Sequence, residues 1–257
     1  MSLHDALNAV WVRPDFMVLP DANPLPLRYL WDDTRASKDY RYDAGWLVDA
    51  MQASSTRAQM VLCVGLYEWI VWRFEGLHTE KTPRQVLEAA WLATVDPAYM
   101  AFFELPREAW QGPVLGPLWC AMTWLRPALT AGDCCPDELT DGLDYLTRLA
   151  FHVWPDSPRL QAWLHGAVAR LLVLSPSVED DIFADLFDQR IGARRGALIS
   201  WAALSPSASL SPQGHLQWLH MLLGSQHAGR NPFVIKCHPA WIDHDQWQAL
   251  APHEVRA

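Results

Sequence analysis

Asp180-Asp181-Ile182-Phe183-Ala184-Asp185 is the pattern in this chain best suited to chemistry. Asp181 and Asp185 are four residues apart, so in a helix they share one face. Carboxylates paired in that way can hold Mg²⁺, a hard cation that takes oxygen ligands and usually bridges to substrate phosphates. Asp137-Glu138-Leu139-Thr140-Asp141 repeats the spacing. Glu68 is a different kind of candidate, the one charge between Arg57 and Arg73 in an otherwise uncharged, mostly apolar run. A buried carboxylate must take up a proton, pair with a cation or accept hydrogen bonds. Glu68 is therefore either a buried functional acid or base, or a structural residue at the least buried edge of its helix or paired with a neighbouring arginine.

The Asp181/Asp185 pattern resembles the aspartate-rich motif of helical isoprenoid diphosphate enzymes such as terpene and squalene synthases. The resemblance implies an all-helical, Mg²⁺-dependent enzyme acting on a prenyl diphosphate, with Asp181 and Asp185 as ligands. The second metal motif of terpene synthases, with its Asn, Ser and Glu, is absent. Helix capping explains the same residues. With Ser177 as N-cap, Glu179, Asp180 and Asp181 fall in the first turn, where Asp180 completes a capping box and all three complement the helix dipole. Cys135-Pro136-Asp137-Glu138 reads likewise as cap, proline and acidic first turn. With the acids used as caps no cofactor is expected, Mg²⁺ being the alternative.

Glu75-Gly76-Leu77-His78 has the Glu-x-x-His spacing of di-iron bundles, but it occurs once and Gly76 weakens the helix it needs. Of the ten histidines, His215, His220, His227, His238, His244 and His253 lie near the C-terminus. No pair of them has the i, i+4 spacing of a helical zinc site. Cys237-His238 with Asp243 and Asp245 makes a site only if folding gathers them. No G-x-S-x-G, P-loop or G-x-G-x-x-G is present. Five cysteines, including the adjacent Cys134 and Cys135, lack C-x-x-C spacing and predict a reducing compartment. The opening residues Met1 to Leu7 have neither the basic nor the apolar region of a signal peptide, so cytoplasm is expected.

These residues need elements to position them. Apolar residues from Met60 to Phe74 cover every side of a helix, which predicts a helix buried all round over 57–73. Glu68 interrupts the run too early for a membrane span. Leu3, Leu7, Val10 and Trp11 predict a short amphipathic helix. Prolines 14, 20, 24 and 26 make residues 14–42 an extended arm laid over the core, and a second helix is expected over 43–53. Thr82-Pro83, Asp96-Pro97, Ser157-Pro158, Ser175-Pro176 and Ser211-Pro212 each read as a capping side chain followed by proline at the first helical position. The expected fold is all-α, a single domain over residues 1–257 with residues 225–257 irregular. It is an irregular bundle or, since Leu174-Ser175-Pro176-Ser177 recurs at Leu204 to Ser207, a short α-solenoid of helical hairpins.

The 15 tryptophans are read mainly as packing between helices. Charge is unevenly placed: of a net −9, the segment from Gly132 to Gln189 holds eleven acids against three arginines. Such a balance argues against nucleic acid, which needs clustered Lys and Arg. It suits a basic protein partner. The expectation is thus a non-enzymatic cytoplasmic binding protein, such as an immunity protein neutralising a toxin or an adaptor. Its docking residues would be Asp137, Glu138, Asp141, Glu179, Asp180, Asp181, Asp185 and Asp188.

Overall fold

The computed structural model describes residues 14, 17, 26–132, 135–177, 194–205, 208–211, 213, 214, 217, 218 and 231–235. Six α-helices fall within them: α1 (Gly45–Met51), α2 (Thr56–Arg73), α3 (Thr82–Val95), α4 (Gly112–Thr130), α5 (Pro136–Val153) and α6 (Pro158–Leu174). There is no strand among the described residues, and only two isolated antiparallel bridges occur, Ser54 with Pro176 and Met100 with Val234. The fold is all-α. The expected helix over residues 3–12 lies outside the described residues.

Helix α2 organises the rest. Fifteen of its 18 residues are buried, so it has no face left for solvent. It touches α3, α4, α5, α6 and the 3-10 turn Trp201–Leu204, an arrangement of helices around a central one rather than a row of stacked hairpins. The repeated Leu-Ser-Pro-Ser does not mark equivalent units: Leu174 closes a 17-residue helix, Leu204 a single 3-10 turn.

Both ends of α2 carry an arginine, and each guanidinium serves another helix. Arg57 donates from Nε to the Thr94 carbonyl at 2.8 Å and from Nη2 to the Val95 carbonyl at 3.1 Å, capping α3, and reaches Gly196 with Nη1. Arg73 donates from Nε to the carbonyl of Val153, the last residue of α5, at 3.0 Å, and from Nη2 to Pro26 at 2.8 Å. A cation against the negative end of a helix satisfies orphan carbonyls and complements the dipole. Burial lowers the pKa of Arg73, yet the side chain keeps its charge at any physiological pH.

The caps are a mixed set. Ser157 accepts from the Leu160 amide and starts α6 as expected. Thr82 is already helical, and the residue before α3 is Lys81, whose side chain does not cap. Asp96 caps only the one-turn 3-10 segment Pro97–Tyr99. Ser175 closes α6 and pairs its hydroxyl with Ser55 at 2.7 Å, so it knits two helix ends together. For α4 the cap comes from afar: Asp33 in the arm accepts from the Gly112 amide at 2.9 Å.

Most of the described tryptophans sit between elements, and several use the indole N–H to tie them. Trp163 donates to Leu204 at 2.8 Å, Trp119 to Leu105 at 2.9 Å and Trp154 to Trp69 at 3.0 Å.

Candidate functional site

Residues 26–42 cross the end of α5 and the turn into α6, and an open cleft of about 870 Å³ lies between them. From the arm come Arg28, Tyr29, Leu30, Asp39, Arg41 and Tyr42. From the other wall come Phe151, His152, Pro155, Asp156, Ser157, Pro158 and Gln161. The α5–α6 turn is tight enough to place Asp156 at φ 55, a left-handed conformation that Asp adopts more readily than most residues.

The walls are fixed by specific bonds. His152 Nε2 is 2.9 Å from the Leu30 carbonyl oxygen, and the Pro26 carbonyl is held by Arg73. Tyr29 donates its hydroxyl to Pro113, and Tyr42 stacks on Phe151 with centroids 3.7 Å apart and planes 2° from parallel. Burial lowers the pKa of His152, which favours the neutral ring. The Leu30 side chain, by contrast, is 89% exposed at the rim.

Glu68 lies elsewhere, on α2, and lines neither this cleft nor the next. It is 7% exposed and pairs with no cation among the described residues. Burial pushes its pKa up to about 8, and the Trp72 indole one turn later opposes the shift. The Trp72 Nε1 is itself buried with no formed hydrogen bond among the described residues. No arginine from a neighbouring element pairs with it among the described residues, and the two arginines of its own helix are turned to carbonyls. At neutral pH Glu68 is a protonated acid in the core.

Asp137 and Asp141 are exposed on α5, Glu138 is half-buried, and none of the three is ion-paired among the described residues. Glu179, Asp180, Asp181, Asp185 and Asp188 lie outside the described residues, as do the six C-terminal histidines, Cys134 and Cys237. No group of three His, Cys, Asp or Glu side chains that could hold a metal exists among the described residues. Glu75 and His78 follow the end of α2 and are not on it, because Gly76 at φ +78 breaks the helix. They line a second cleft of about 400 Å³ in which Glu75 pairs with Arg84. Burial raises the pKa of Cys120 to about 11 and pushes Cys63 further up, which leaves both thiols protonated and unreactive.

The first cleft is what sequence reasoning missed. Its aromatic surface is Tyr and Phe, not the abundant Trp, and its walls are distant in the chain. The only signals were the apolar arm and the Ser157-Pro158 helix start. In comparisons with family models, curated proteins and solved structures, nothing matches this protein. No helix among the described residues is long and apolar enough to cross a membrane.

Proposed function

We propose that this protein is a non-enzymatic protein-binding protein, of the kind represented by toxin-neutralising immunity proteins and by adaptors. In this reading it works in the cytoplasm and docks a basic partner. The observation that carries it is the outer stripe of α5. Asp137, Asp141, Asp144, Arg148 and Phe151 follow one another at helical spacing, a run of about 21 Å at 1.5 Å per residue. The stripe begins with carboxylates that no cation among the described residues neutralises and ends in the aromatic cleft beside exposed Leu30. Apolar contacts flanked by charge suit recognition, with charge steering the encounter. Glu179, Asp180, Asp181, Asp185 and Asp188 add to the same acidic segment.

The test is capture from native cell extract by the tagged full-length protein, compared with Asp137→Asn/Glu138→Gln/Asp141→Asn and with Asp180, Asp181, Asp185 and Asp188 changed to Asn. A basic protein held by the wild type and lost from either variant is the expected result. Equal recovery by all three contradicts the acidic docking surface.

A further inference from the structure

The geometry points to a binding site for a small organic anion with a flat apolar body, an aromatic carboxylate, in the cleft between the arm and the α5–α6 turn. The site shares Phe151 and Leu30 with the near end of the docking stripe, but it rests on Arg28, Arg41 and the Tyr42–Phe151 stack and not on the carboxylates at the far end of α5. Its volume of about 870 Å³ lies within the range of small-molecule sites. The Tyr42–Phe151 stack supplies a rigid aromatic surface. The charge balance favours an anion. Asp39 is held by three hydrogen bonds of 2.8 to 3.1 Å from Arg35, which offsets its charge. Arg28 and Arg41 also line the cleft, and neither has an ion-pair partner among the described residues. Asp156 is then the one acid in the lining not tied to a cation among the described residues. A guanidinium presents a planar fork matched to a carboxylate, and aromatic faces suit a flat apolar group beside it. The walls are preformed, since bonds from His152 and Arg73 hold the arm backbone, so little ordering is left for the ligand to impose.

The test titrates the full-length protein with three probes, followed by amide NMR shifts and calorimetry: N-acetyl-phenylalaninate, its uncharged amide, and an N-acetylated triglycyl-phenylalanine with a free C-terminus. The expected result is saturable binding of the acid at least fivefold tighter than the amide, with shifts at residues 28–42 and 151–161. Arg28→Gln/Arg41→Gln, checked for unchanged circular dichroism, should abolish the preference. The peptide binding as tightly as the acid would mark the free C-terminus of a peptide as the occupant. Weaker peptide binding would mark a free small molecule. Equal affinity for acid and amide, no saturable binding by any probe, or a preference that survives in the double variant would overturn the proposal.

Discussion

His152 Nε2 sits 2.9 Å from the carbonyl oxygen of Leu30, which ties the arm to the last turn of α5. A carbonyl only accepts, so the nitrogen facing it carries the proton. The imidazole is also flanked by Tyr29, Tyr40 and Trp31, with centroids 5.3, 5.1 and 6.1 Å away. His152→Ala should lose the bond and the ring packing, about 2 kcal/mol of stability by urea denaturation, and His152→Phe about half of that. Proteolysis within residues 26–35 should accelerate in the same order. Because the folded state holds the His152 pKa below its unfolded value, this residue's stabilisation is present above about pH 6.5 and fades as pH falls through the folded pKa.

Glu68 has the opposite sign. Its folded pKa is raised to about 8, so its favourable state is fully present below the unfolded carboxylate value and is lost as pH rises through about 8. Glu68→Gln should therefore stabilise the protein by an amount that grows between about pH 4.5 and 8 and then levels off. At pH 7 the gain is on the order of 3 kcal/mol. Thermal denaturation across that range checks this, and a Gln variant less stable than wild type at pH 8 would show that Glu68 has a cation partner.

Arg57 and Arg73, at opposite ends of α2, cap the C-termini of α3 and α5. Replacing Arg57 with Met keeps much of the packing but orphans the last carbonyls of α3, a loss of about 3 kcal/mol. In a protein of this size that lowers the melting temperature by roughly 6–12 °C. Arg57→Lys should recover only part of it, since one ammonium cannot reproduce the fork.

Gly65 is where α2 meets the 3-10 turn. A Cβ there would stand 2.6 Å from Leu204 Cδ1 and 3.1 Å from Trp163 Cζ2. Gly65→Ala gains helix propensity of about 1 kcal/mol, but overpacking of about 1–3 kcal/mol should outweigh it. The urea midpoint should fall, and adding Leu204→Ala to that variant should relieve the clash.

What could be read in advance follows from how local each cause is. The helix over Arg57–Arg73 was legible because its apolar residues leave no polar face, and Ser157 was legible because a cap acts within three residues. The bond from Asp33 to Gly112 spans 79 positions and leaves no mark on either neighbourhood. Thr82 misled because its neighbour Pro83 fits the first helical positions whichever residue precedes it. Glu68 was recognisable as a problem, but nothing local shows whether a neighbouring element brings it an arginine, and among the described residues none does. The cleft was hidden for the same reason: Tyr42 and Phe151 are 109 residues apart and meet only in the fold.

The most direct measurement of the docking proposal is the association rate of the captured partner with wild type and with Asp137→Asn/Glu138→Gln/Asp141→Asn, over increasing salt. The wild-type rate should fall steeply with salt and the variant should be at least about tenfold slower at low salt, the two converging as screening removes steering. Rates that coincide at every salt concentration would contradict it.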